Sequence, residues 1–187
     1  MHQLLSYFTS KGIPERDAAE IAAGFTYKKM ARGDHFAEEG KTSKYLGFII
    51  KGLFQYYYIK DGKEITTYIT GDNSFLVSLS SFFKQQPSRE FVRALADSDL
   101  LLMHYDELQK LKTENGAFRS FYIGALEGLA TSMDDTRTNL IILTAEERYA
   151  LLMKEEPALL QQIPLQYLAS ILGVTPRHLS RIRNSIR

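Results

Sequence analysis

The stretch Ile163 to Arg187, IPLQYLASILGVTPRHLSRIRNSIR, restricts this chain more than any other. Leu165, Leu168, Ala169, Ile171 and Leu172 recur at three- and four-residue spacing, which makes one apolar helical face. Gly173 then ends the helix, because glycine enters the left-handed backbone region that other residues reach only at a cost. Val174 is an apolar plug. Thr175 can accept an orphan amide of a second helix, and Pro176 suits the first helical position, where a missing N–H costs nothing. Leu179, Ile182 and Ile186 then face inward, leaving Arg177, His178, Arg181 and Asn184 outward, with Arg183 and Arg187 near the rim. No acidic residue falls between Thr175 and Arg187. A basic surface hairpin would share the charge, but the tight Gly-Val-Thr-Pro connection fixes the interhelical angle. This is the layout of a helix-turn-helix whose second helix enters a DNA major groove.

The rest of the chain sets bounds on that reading. At 187 residues it has room for one large domain or two small ones. A hydrophobic content of 44% with 24% charged residues is ordinary for a soluble globular protein. Net charge is only +1, so affinity for nucleic acid must come from local asymmetry, and the acidic pairs Glu38-Glu39, Glu146-Glu147 and Glu155-Glu156 do lie outside the basic C-terminal segment. There is no apolar run of membrane-spanning length. The opening MHQLLSYFTSKG lacks a secretory leader, so a cytoplasmic location is expected. The absence of cysteine excludes disulfides, thiolate zinc sites and cysteine-held iron–sulfur clusters. His2, His35, His104 and His178 have no metal-ligand spacing, and His35, near Glu38 and Glu39, would need further histidines to hold a metal. With no serine elbow, Walker loop or dinucleotide fingerprint, no catalytic or metal residue is assigned and no enzyme is expected.

Residues Met1 to about Phe25 look helical, with Ala18, Ile21, Ala22 and Phe25 as an apolar stripe. From about Tyr27 to Tyr105, glycines separate short runs of Tyr, Phe, Ile and Thr, which predicts a barrel or sandwich. The clearest hairpin joins Phe54–Lys60 to Lys63–Ile69 through Asp61-Gly62. A turn at Gly71-Asp72-Asn73 follows, then strands at Phe91–Leu95 and Ser98–Met103 and a short helix from Tyr105. From about Asn115 to Leu143 runs a long proline-free helix. Its Tyr122, Leu126, Leu129, Met133, Thr136, Leu140 and Leu143 form a heptad seam suited to a coiled-coil partner, although packing on the chain's own barrel would also use it. Thr144-Ala145-Glu146-Glu147 is a capping box that starts a new helix, ended by Pro157. The expected division is a sensor domain with N-terminal helices at 1–114, the long helix at 115–143, and the DNA-binding domain at 144–187.

A small β-barrel, a long helix and a helix-turn-helix occur together in a known group. Through Phe48-Ile49-Ile50-Lys51-Gly52, Gly71-Asp72 with Phe75-Leu76, Phe91-Val92-Arg93-Ala94, Leu143-Thr144 with Arg148, and Leu172-Gly173-Val174, the sequence resembles the Crp/Fnr family of bacterial transcription regulators over nearly its whole length. The resemblance implies an α+β fold: an N-terminal β-roll or jelly-roll barrel like a cyclic-nucleotide-binding domain, a long dimerisation helix, and a C-terminal helix-turn-helix. It also implies a homodimer on double-stranded DNA, with RNA polymerase as a further partner and no membrane. Arg181 matches the family's base-reading arginine, and Thr175 matches a small hydroxylated residue beside a phosphate. The family's β-hairpin wing has no counterpart after Arg187, so the expected match is to a wingless, short C-terminal variant.

The sensor segment departs from the family's pattern. Where cyclic-nucleotide binders have Gly-Glu after Phe75-Leu76, this chain has Val77 and Ser78; where they have Arg-Ser, it has Ser88-Arg89. Thr131-Ser132 matches the hydroxyl pair that contacts the base in cyclic-AMP binders, and also suits simple helix packing. Phe75, Val77, Ser78, Ser88, Arg89, Thr131 and Ser132 are therefore the candidate ligand residues, with no cofactor assigned: cyclic AMP is not expected, and an effector in the barrel is unidentified or absent. The expected function is sequence-specific DNA binding by a homodimeric regulator. Arg177, His178 and Arg181 would read bases, and Thr175, Arg183 and Arg187 would sit on phosphates. The alternative is a ligand-binding or protein-interaction module with a degenerate DNA-binding end.

Overall fold

Two helices, α1 (His2–Ser10) and α2 (Glu15–Ala23), open the chain. A computed structural model describes residues 1–185. The break between the two helices has a local cause. Gly12 sits at φ 82°, and Pro14 occupies the N-cap of α2, where it disfavours helix in the residue before it.

Eight strands follow: β1 (Thr26–Met30), β2 (His35–Ala37), β3 (Tyr45–Lys51), β4 (Phe54–Lys60), β5 (Lys63–Thr70), β6 (Phe75–Leu76), β7 (Phe91–Ala94) and β8 (Ser98–His104), with α3 (Leu79–Lys84) between β6 and β7. They form two four-stranded antiparallel sheets, ordered β1-β8-β3-β6 and β2-β7-β4-β5. The β4–β5 turn takes Asp61 and Gly62 to φ 52° and 73°, the positive pair that a two-residue hairpin with matching twist requires. Gly52 stands at φ 146°, and a Cβ there would lie 2.6 Å from Ser98 Cβ, so the β3–β4 corner needs glycine.

Strand alternation sends side chains to two separate cores. Ile49, Phe54, Tyr56, Leu76, Val92 and Leu100 fill the space between the sheets. Phe48, Leu101 and Met103 point the other way, against Leu4 and Phe8 of α1, Ile21 of α2, and Leu108 and Leu111 of α4 (Tyr105–Glu114).

The long helix α5 (Gly116–Ile142) is capped by Asn115, whose Oδ1 accepts the Phe118 amide at 2.8 Å while its Nδ2 donates to Asp17 and Glu20 of α2. It ends at the capping box: Thr144 Oγ1 accepts the Glu147 amide, and the Glu147 carboxylate accepts the Thr144 amide at 2.8 Å. Then come α6 (Ala145–Glu155), α7 (Pro157–Gln162), α8 (Leu165–Ile171) and α9 (Pro176–Ser185). Tyr149, Leu160, Leu168, Ala169, Leu172, Leu179 and Ile182 make a third core among them. Among the described residues no helix is long and apolar enough to cross a membrane.

Candidate nucleic-acid interface and sensor region

The turn between α8 and α9 closes with two reverse hydrogen bonds. The Gly173 amide donates to the Ser170 carbonyl at 3.0 Å and the Val174 amide to the Ala169 carbonyl at 2.9 Å, with Gly173 at φ 69°. This is the Schellman arrangement, and it satisfies the carbonyls that the end of α8 leaves over. Thr175 Oγ1 then accepts the His178 amide at 3.2 Å as the cap of α9. Leu179 and Ile182 are buried against α8, so the opposite side of α9 is presented outward. Arg177, Arg181 and Asn184 lie exposed on it, and no carboxylate pairs with either arginine among the described residues.

His178, expected to read bases, and Arg183, expected near the rim on a phosphate, both contact α6. His178 Nε2 lies 3.3 Å from Glu146 Oε1, and Arg183 Nε donates to the Tyr149 hydroxyl at 3.2 Å. The Glu146 carboxyl accepts its own backbone amide at the start of α6 and, as a smaller effect, the His178 imidazole. Its pKa falls below the ordinary carboxylate value. Ile186 and Arg187 lie outside the described residues. Arg148, quoted above only as part of a resemblance, joins two elements: Nη1 donates to the Leu143 carbonyl at 2.5 Å and Nη2 to the Leu172 carbonyl at 2.8 Å. It thus ties the end of α5 to the end of α8.

On α5, Leu126, Met133 and Leu140 recur every seven residues and are 36%, 57% and 54% exposed. Thr136 is exposed and Leu129 half-buried. Tyr122, the first residue of the seam, belongs to the edge of the chain's own core: its ring lies 6.0 Å from that of Phe118, and Lys112 Nζ sits 4.9 Å from its centroid. Ile123, Ile141 and Ile142 are also exposed, off the seam. A template that counts only two positions per heptad passes over them.

The candidate sensor residues do not form one open site. Phe75 packs edge-on against Tyr7 and Phe48, both at 5.4 Å, and Val77 packs against the same core. The Val77 amide donates to the Tyr56 hydroxyl at 3.1 Å, and burial raises the pKa of that phenol. Ser78 and Ser88 do come together, buried, with their hydroxyls 3.2 Å apart. Their protons are taken internally: Ser78 donates to Glu90 Oε1 at 2.8 Å and Ser88 to the Glu90 carbonyl at 2.7 Å. Arg89 points to solvent.

Thr131 and Ser132 lie elsewhere. They are exposed, and with Asp135, Asn139 and Glu155 they line a groove of about 520 Å³ between α5 and α6. The Thr131 hydroxyl returns to the carbonyls of Glu127 and Gly128. A cyclic phosphate needs free donors and positive charge. Here the Ser78 and Ser88 hydroxyls are already bonded with the Glu90 carboxylate beside them, and the neighbouring cation, Arg89, points away to solvent, so the pair does not fit that group. Glu90 escaped sequence reasoning because the family pattern drew attention to Ser88-Arg89 and not to the residue after them.

Two antiparallel sheets closed into a β-roll are followed by a long helix with an exposed heptad ladder and by a helix-turn-helix. Residues 27–115 match the family model described as a cyclic nucleotide-binding domain. Three solved structures share the fold. A CooA mutant from Carboxydothermus hydrogenoformans is 16% identical, with 89% of this chain and 78% of that one covered at a TM-score of 0.68. The Thermus thermophilus catabolite activator protein is 20% identical, with 94% and 84% covered at 0.59. A transcriptional regulator assigned to the Crp/Fnr family, from Eubacterium rectale, is 14% identical, with 94% and 84% covered at 0.67. No curated protein matches the sequence. Residues 27–115 thus match a cyclic nucleotide-binding domain and the chain shares its fold with these regulators, so the resemblance read from its motifs is borne out.

Proposed function

We propose that this protein is a homodimeric, sequence-specific DNA-binding transcription regulator whose sensor domain does not take cyclic AMP. The observation that carries the reading is α9. Its inward side is locked by Leu179 and Ile182, its start is fixed by the Gly173–Thr175 turn, and Arg177 and Arg181 stand exposed with no internal carboxylate among the described residues. An arginine fork on a guanine edge discriminates by about 1–3 kcal/mol. Arg181 and Arg177 read bases, Asn184 lies beside them, and Thr175 at the helix start positions the chain on a phosphate. His178 and Arg183 brace α9 on α6 in the free protein.

The α5 ladder supplies the two-fold partner, RNA polymerase is the further partner of the bound complex, and the chain works in the cytoplasm. The structural likeness to Crp/Fnr regulators supports the DNA-binding reading, and the internally satisfied Ser78–Ser88–Glu90 cluster supports the exclusion of a cyclic phosphate.

Random-sequence DNA selection with the purified protein tests the proposal, run with and without a panel of cyclic nucleotides. Enrichment of an inverted repeat, unchanged by the nucleotides, is the expected result. A protein that enriches nothing would instead be an interaction module, the reading favoured by the tethering of His178 and Arg183.

A further inference from the structure

The outward side of the second sheet is covered over part of its area. Gln55, Thr66 and Ile69 project from β4 and β5 away from the lumen, yet they are 0%, 2% and 2% exposed. What covers them is the helix-turn-helix unit. Ser170 of α8 donates its hydroxyl to the Thr66 carbonyl at 2.9 Å, and a Cβ on Gly71, just past β5, would lie 3.3 Å from Leu159 of α7.

Buried polar groups need partners, and here one side chain supplies them. Arg93 of β7 donates Nη2 to Gln55 Oε1 at 2.8 Å, and Gln55 Nε2 donates to Thr66 Oγ1 at 2.8 Å. The same guanidinium grips Glu64 through Nη1 at 3.0 Å and Nη2 at 2.7 Å, and lies 4.7 Å from the centre of the Tyr57 ring. Tyr57 stacks on Phe91 at 5.0 Å and its hydroxyl meets His35 Nε2 at 2.9 Å. A line of direct contacts thus runs from β2 across the sheet to α8.

We infer that Arg93 is a positioning residue for the DNA-reading helix: it organises the sheet face on which α8 sits and so fixes the direction in which α9 leaves the β-roll. The DNA part of this inference rests on the function proposed above; the seating itself does not. Arg177 and Arg181 remain exposed while α8 is seated, so the seated form presents the reading surface. Lysine cannot replace the residue, because a single ammonium cannot serve Glu64 by two nitrogens and Gln55 together.

The chain has no cysteine, which makes a cross-linking test clean. In the double variant Thr66→Cys/Ser170→Cys, mild oxidation is expected to form an intrachain disulfide, and the bridged protein to bind selected DNA within about threefold of its reduced form. Arg93→Ala is expected to raise hydrogen exchange in residues 165–171 while the core of the first sheet stays protected, and to weaken DNA binding about tenfold; Arg93→Lys should behave alike. Adding the disulfide to Arg93→Ala should restore binding. Ser170→Ala, a milder change, should raise exchange in the same helix if Arg93→Ala fails to fold.

Failure of the bridge to form, unchanged exchange in α8, or loss of DNA binding on oxidation would each overturn the inference. If no variant and not the parent binds DNA while the exchange pattern appears as expected, the seating stands and the DNA-binding reading falls.

Discussion

Replacing Met133 by glutamate tests whether α5 is a dimer seam. Met133 is 57% exposed in the single chain and lies midway between Leu126 and Leu140 at seven-residue intervals. In a two-fold pair of parallel helices such a residue faces its own copy. Fully burying a methionine is worth about 1.5–3 kcal/mol, so covering the exposed half contributes about 1 kcal/mol per protomer. Glutamate forfeits this twice and sets two carboxylates about 5 Å apart, which costs about 3 kcal/mol at an effective dielectric of about 20. The total of about 5 kcal/mol corresponds to a dissociation constant raised by between about 10³ and 10⁴. Sedimentation velocity over a concentration series measures it: the parent should run as a pair of 21.4 kDa chains and Met133→Glu as one, with Met133→Leu close to the parent. A parent that stays single at about 50 μM, or a glutamate variant weakened less than about tenfold, would refute the reasoning.

Gly52→Ala forces a positive φ on alanine and drives its Cβ into Ser98, so it should lower stability by about 3 kcal/mol or more, read as the midpoint of a urea melt. Glu146 and Glu38 have pKa values held below the ordinary carboxylate range, Glu146 chiefly by its own backbone amide and Glu38 chiefly by Lys41. The unfolded chain therefore takes up protons first. The stabilisation is complete above the ordinary carboxylate pKa and lost as pH falls through the depressed values, so Glu146→Gln and Glu38→Gln should flatten the acid limb of the thermal melting profile. Cyclic AMP or cyclic GMP at about 100 times a micromolar constant would stabilise a binding protein by about 2.7 kcal/mol; the expected thermal shift is none, and a shift of several degrees would contradict the Ser78–Ser88–Glu90 argument.

Local chemistry was readable where a few adjacent residues decide it. Asp61-Gly62, Thr144 with Glu147, and Gly173 to Pro176 each specify their turn or cap through φ preference and hydrogen-bonding capacity alone, and each is found where the residues place it. The α5 ladder was legible from its period. What stayed hidden depends on distant partners. His178 and Arg183 face the side of α9 that α6 happens to cover, and nothing between Thr175 and Asn184 announces Glu146 or Tyr149. Glu90 is silent until β7 carries it past Ser78. Gln55 and Thr66 look like the ordinary polar side of a half-exposed strand, yet under the seated α8 they are interior.

In the proposed function the outward arginines of α9 grip DNA. The most direct measurement is the salt dependence of affinity for a selected duplex, for the parent and for Arg181→Ala. Log affinity should fall linearly with log salt, with a slope of about −0.9 per phosphate contacted. Arg181→Ala, the loss of a base contact, should leave that slope nearly unchanged while relaxing the preference at one base pair in each half-site. An affinity no greater for the selected duplex than for random DNA, or an Arg181→Ala variant with the parent's base preference at every position, would contradict that function.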